Sequence, residues 1–320
     1  MISRRNVLIG LSGVVALAGC TEFQQQEDQV DEQQEAENQS QGDQPQEEVD
    51  QQQNESQEQT DQQSDDGDRI ERIAPERETI EDALDTYVAF LDDEDADILA
   101  VTSLSEEFDH LPIVNAMQTV SEDLDRKARR EPNEEISDEI STVRREARAI
   151  EAIAQAQNRG QRTAMSAQNY VEEMGDTVTL SQIHSNLVPR IESFAEAVDT
   201  VSARVERLPS ARINESRLYE AKLTQFENEL QNFRLYAAIH DDYRSGIKSL
   251  SQGLSKLKSE KYASAEKLSR TAVERFDRIL DELSGVTDEL QPLTDEMVSQ
   301  VESDKETAEA LRKITTELSN

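Results

Sequence analysis

Cys20 is the only cysteine in the chain, so its thiol has no intramolecular disulfide partner and no second thiolate with which to hold a metal. A lone thiol is suited to covalent attachment. The three histidines, His110, His184 and His240, are spread through the sequence. None sits in a His-Glu-x-x-His motif or beside a cysteine, so no zinc site is expected. His240 continues an apolar stripe and reads as a buried core histidine, not as a ligand or base. Asp93, Asp95 and Asp97 fall at the first three ligand positions of a calcium loop. Ile98 stands where that loop needs glycine, and Leu104 where it needs the closing glutamate, so a solvated acidic turn is expected. There is no glycine-rich phosphate loop and no Gly-x-Ser-x-Gly elbow. Nucleotide and nucleophilic chemistry therefore have no platform. Carboxylate pairs are unavoidable in so acidic a chain and single out no general acid or base. The sequence predicts no catalytic residue, no metal ligand and no cofactor.

The stretch that ends at Cys20 positions its thiol. It has a short basic head, Arg4 and Arg5, an apolar run and small residues before the cysteine. That is the anatomy of an export signal. The apolar run is shorter than the about 20 residues a membrane span needs. Ser3-Arg4-Arg5-Asn6-Val7-Leu8 resembles the twin-arginine export motif. It departs from that motif at Val7, where phenylalanine is commoner, and has Ile9 where lysine is often found. Leu17-Ala18-Gly19-Cys20 resembles a lipobox, where a peptidase cuts before a cysteine that carries lipid. With the high acid content and the excess of arginine over lysine, the chain resembles exported lipoproteins of halophilic archaea. The resemblance covers the leader and the composition, and no functional domain. It implies that residues 1–19 are a removed signal peptide, that Arg4 and Arg5 direct export, and that Cys20 is lipidated. The chain would then be held at the outer face of the cell membrane. One lipid chain binds membranes only marginally, so a multi-chain lipid is expected.

Asp and Glu number 69 against 33 Lys and Arg, giving a net charge of −36. Nucleic acid and anionic membrane surfaces would be repelled. Aromatic residues make up 4% of the chain and tryptophan is absent, which leaves few rings for a sugar- or base-stacking groove. Residues 20–68 form a region of their own. Positions 21–68 hold 17 acidic residues, 17 glutamines and no Lys or Arg. Such a segment cannot bury enough apolar surface to offset its ordering entropy, so a disordered acidic tether is expected. Its reach is about 160 Å fully extended and about 40 Å or more as a coil. Asn38 and Asn54 open Asn-x-Ser triplets in this tether and are glycosylation candidates. Asn214 opens a third at an expected helix start.

From Arg69 to the end the apolar spacing is helical, with no strand-like alternation. The fold expected is all-α: long antiparallel helices in an elongated bundle or coiled-coil-like arrangement over 69–320, with a division into subdomains near 175–210. The first helix is expected to start at Pro75, and others to follow Pro112 and Pro132. The helix after Pro132 is expected to break, or to end loosely packed, near Gly160. Leu180 to Leu208 has the cleanest heptad spacing, with Pro189 facing away and either kinking the helix or marking its start. A second long stripe runs from Tyr219 to Leu257, where the spacing of Ala237, His240 and Tyr243 predicts local overwinding. Two further helices end the chain, the first closing at Gly285. The reading that follows is a non-enzymatic, lipid-anchored surface protein with a structural or interaction role, in contact with an envelope protein or with itself. The second reading is a ligand-binding receptor or sensor domain with a pocket between helices.

Overall fold

The computed structural model describes residues 65–91, 93, 95–130, 134–208, 213–286 and 290–319. Cys20, Arg4, Arg5, Asn38 and Asn54 lie outside the described residues. The fold is all-α, and residues 61–320 make one compact unit. Eight α-helices run among the described residues: α1 (Asp65–Val88), α2 (Leu111–Arg130), α3 (Glu134–Glu172), α4 (Thr177–Val205), α5 (Ile213–Ala238), α6 (His240–Lys258), α7 (Tyr262–Leu283) and α8 (Gln291–Ser319). One 3₁₀ turn, Ile98–Ala100, interrupts the α1–α2 loop. Among the described residues no helix is long and apolar enough to cross a membrane.

Each helix packs chiefly on its sequence neighbours, and α3 also packs on α1 and α5. Cross-links between helices give the directions. Gln118 meets Glu151 and Arg144 meets Asp125, so α2 and α3 are antiparallel. Arg159 meets Ser193 and Thr163 meets the Arg190 carbonyl, so α3 and α4 are antiparallel too. Asp242 of α6 takes Arg275 and Arg278 of α7. Tyr243 of α6 takes Asp304 of α8. The C-terminal helices α6, α7 and α8 thus form a three-helix layer, and α1–α5 are grouped about α3.

The apolar stripes account for this packing. Ile113, Met117, Val120 and Leu124 of α2 are buried, as are Ile140, Val143, Ala147, Ile150 and Ala154 of α3. Leu180, Leu187, Ile191, Phe194, Val198, Val201 and Val205 of α4 follow the heptad rule. Because α3 is surrounded, its buried face is wide and filled by small residues: Ala149, Ala152, Ala156, Ala164 and Ala167 are also buried.

The helix boundaries differ from expectation at Pro75 and Gly160. Pro75 lies inside α1, which begins ten residues earlier at Asp65. Ile73, on the N-terminal side of Pro75, is buried, and Lys127 of α2 holds Glu76 at 2.8 Å. Packing on both sides of the proline therefore outweighs its missing donor. Gly160 does not break α3, which runs on to Glu172. An added Cβ at Gly160 would stand 2.3 Å from Ser103 Oγ and 3.2 Å from the Phe194 ring, so glycine there permits close approach of α4 and the α1–α2 loop. Pro189 is exposed and lies inside α4, so it faces away from the stripe but does not start the helix. The stripe expected to run from Tyr219 to Leu257 with local overwinding is instead divided: α5 stops at Ala238 and α6 starts at His240, with Ile239 between them. Helical hydrogen bonds continue on either side, from the Ile239 N–H to Leu235 O and from the Tyr243 N–H to Ile239 O.

Candidate functional site: a buried polar clasp and a histidine pair

The loop between α1 and α2 sets the hardest polar problem in the fold. Ile98, Val101 and Ser103 are buried, yet the chain there has almost no helical ladder. Buried backbone groups must find partners elsewhere. Side chains of α3 and α5 supply them. Gln225 Nε2 donates to Leu99 O at 3.2 Å and to Val101 O at 3.5 Å. Lys222 Nζ donates to Val101 O and, at 2.9 Å, to Gln225 Oε1. Gln157 Nε2 donates to Thr102 O at 2.7 Å, while its Oε1 accepts from the Tyr87 hydroxyl at 3.0 Å. Glu229 accepts from the Ser103 N–H at 3.1 Å and from Ser103 Oγ at 2.5 Å. Gln161 Nε2 reaches Ser105 O and Glu106 O at 2.9 and 2.7 Å. The loop is clasped along its backbone from Leu99 to Glu106.

Lys222 and Glu229 are both fully enclosed. The Lys222 ammonium also lies 4.8 Å from the Phe226 ring centroid and 5.5 Å from that of Tyr87, a cation–π arrangement. Burial pulls the Lys222 ammonium down to about 7, against the opposing pull of Glu229 and Asp97. Burial pushes the Tyr87 hydroxyl well above its ordinary value, and the Glu229 charge adds to this. A lysine lowered in this way is the type that attacks carbonyls. Here Nζ is enclosed and directed at a backbone carbonyl and an amide oxygen, which makes it a strut for the loop.

A second cluster sits where α5 passes into α6. The His184 ring of α4 stacks on His240 of α6 with centroids 3.9 Å apart and planes 10° apart. The Tyr170 hydroxyl of α3 lies 3.4 Å from His240 Nδ1. His184 Nε2 donates to the Ala237 carbonyl of α5 at 3.1 Å. Nearby, the Tyr236 hydroxyl meets Thr294 Oγ1 of α8 at 2.6 Å. One turn on, the Tyr243 hydroxyl donates to Asp304 at 2.6 Å, beside Gln300 at 3.2 Å. Burial raises the Asp304 carboxyl above the ordinary carboxylate range, although both hydrogen bonds oppose it.

The histidines singled out by sequence are placed unequally. His184 and His240 come together, and His240 is buried as its stripe position predicts. His110 sits just before α2, 4.0 Å from Asp109. Burial lowers it, Asp109 opposes the shift and Arg162 reinforces it. The acidic turn uses its carboxylates locally: Asp93 accepts the Asp95 N–H, and Asp97 caps the 3₁₀ turn through the Leu99 N–H. Among the described residues no three His, Cys, Asp or Glu side chains are grouped to hold a metal. Sequence reasoning missed Lys222, Gln225, Glu229 and Gln157. A signal was present: Tyr219, Lys222, Phe226, Glu229, Phe233 and Tyr236 alternate by three and four, which puts two charges in the buried row of a heptad. Compared with known proteins, the chain matches no family model, no curated protein and no solved structure.

Proposed function

We propose that the chain is a lipid-anchored, extracytoplasmic helical surface protein with a structural or protein-interaction role, and not an enzyme. One observation carries the reading: the sole cysteine ends an export-type leader and is followed by an acidic segment without a base and then by a long helical part. The lipid on Cys20 would hold the chain to the membrane, and the helical body would meet an envelope protein or a second copy. The acidity disfavours nucleic acid. The non-enzymatic part is supported by how the buried polar groups are used. Lys222, Glu229, Gln157 and Gln225 are committed to loop backbone, and Asp304 is committed to Tyr243 and Gln300. Among the described residues, Arg144 Nε is the one buried side-chain polar atom without a partner.

A protease that cuts after glutamate, added to intact cells, tests the location. It is expected to cut within residues 21–68 and to release a helical body that keeps its circular dichroism. A chain that stays whole until the cells are lysed contradicts an exposed, tethered placement.

A further inference from the structure

The α5–α6 passage is where the two groups of helices are joined by a single residue outside the helices, Ile239. Four elements meet there through polar contacts: Tyr170 from α3, His184 from α4, the Ala237 carbonyl from α5 and His240 from α6. His184 spends its Nε2 proton on Ala237, in the last turn of α5, and lays its ring face on His240, in the first turn of α6. One side chain of α4 therefore spans the break and touches the helix on either side of it.

We propose that this histidine pair is an acid-sensitive latch: neutral imidazoles hold α4 across the α5–α6 break, and protonation releases it, loosening the α6–α8 layer at Ile239. The stack is favourable only while at most one ring is charged, since two imidazolium rings at 3.9 Å repel. In the tautomer that carries its proton on Nε2, His240 accepts from the Tyr170 hydroxyl at Nδ1, and protonation there removes that acceptor.

The surrounding charges do not rescue a charged pair. On α6 itself, exposed Asp241 favours the imidazolium and exposed Arg244 opposes it. The α3 side offers Tyr170, whose hydroxyl burial pushes above its ordinary range. From α7, Arg275 and Arg278 are held by Asp242. From α8, Asp304 is engaged by Tyr243. Burial first, then His184, lowers His240 to about 4. With the latched value below the value near 6.5 of a released histidine, the latch is at full strength above pH 6.5 and weakens as pH falls toward 4. The ratio of latched to released forms should drop roughly 70-fold between pH 7.5 and 4.5.

The test uses the full chain carrying Cys20→Ser, with spin labels on cysteines introduced at Thr200 of α4 and Lys258 of α6, both exposed. Label-to-label distances are measured at pH 7.5 and 4.5 at constant salt. One narrow distance at pH 7.5 should give way to a broad second population at pH 4.5, with helicity retained. His184→Phe/His240→Phe keeps two stacked rings without titration and should stay narrow at both values. His240→Gln serves the same purpose if the double variant folds poorly, since it removes the ring whose protonation burial opposes. An unchanged distance in the parent chain overturns the proposal. So does the same acid response in the ring-substituted variants, or in a parent chain that only unfolds globally.

Discussion

Replacing Lys222 by methionine is expected to lower the unfolding free energy by about 3–5 kcal/mol, the range for removing one member of a buried ionic cluster. The substitution keeps the unbranched apolar stem of the side chain and takes away its donors. Val101 O is then left with only the 3.5 Å contact from Gln225, and the enclosed Glu229 loses its neighbouring cation. Glu229→Leu should be similarly damaging, because it leaves the Ser103 N–H and hydroxyl without their acceptor and Lys222 with only the weaker pull of Asp97. The double variant should lose less than the two singles together, with a coupling energy of about 1–3 kcal/mol. Denaturant titration at fixed salt measures all four corners of the cycle. Losses that simply add would show that the two charges stabilise the loop separately. The pH dependence has a definite sign. Burial sets Lys222 at about 7 in the fold, below its unfolded value near 10.5. The unfolded chain therefore binds more protons at this site between these values, and the Lys222 contribution to stability should rise as pH increases from 7 to 10.5, opposed near the top of that range by the raised hydroxyls of Tyr87 and Tyr170. Lys222→Met should flatten that rise.

The second large effect is positional. Cys20→Ser should move the protein wholesale from the membrane pellet to the soluble fraction, because each buried lipid methylene contributes about 0.8 kcal/mol to anchoring and a two-chain lipid has many of them. The helical body should be untouched. Residues 61–320 form a compact unit of their own, so the denaturation midpoint of the variant should equal that of the parent. A variant that still pellets with membranes after a high-salt wash contradicts anchoring through Cys20.

The fold was legible where apolar residues alone fill a helix face. The α2, α4 and α7 stripes read directly from spacing, because Met117, Phe194 and Phe276 meet other apolar groups and nothing else competes. Legibility failed where tertiary contacts override a local signal. Gly160 looks like a helix stop, but its role is set by Ser103, far away in sequence, and by Phe194. Pro75 looks like a helix start, but Ile73 and the Glu76–Lys127 pair carry α1 through it. The clasp was hidden for a related reason. Lys222 and Glu229 are the residue types least often enclosed, and only the buried loop backbone from Leu99 to Ser103 gives them partners. Their place in the heptad row was visible, but the demand they meet arises only once the loop is folded inward. For the histidines the stripe foretold the burial of His240, while the stack on His184 depends on the register of α4 against the α5–α6 break.

The most direct test of the anchored-display reading is the intact mass of the mature protein extracted from its native membrane. The reading predicts a chain that begins at Cys20, lacks residues 1–19 and carries a multi-chain lipid on the thiol, with any glycan mass mapping to Asn38 or Asn54. A chain that still begins at Met1, or one that ends in an unmodified Cys20 thiol, would contradict it.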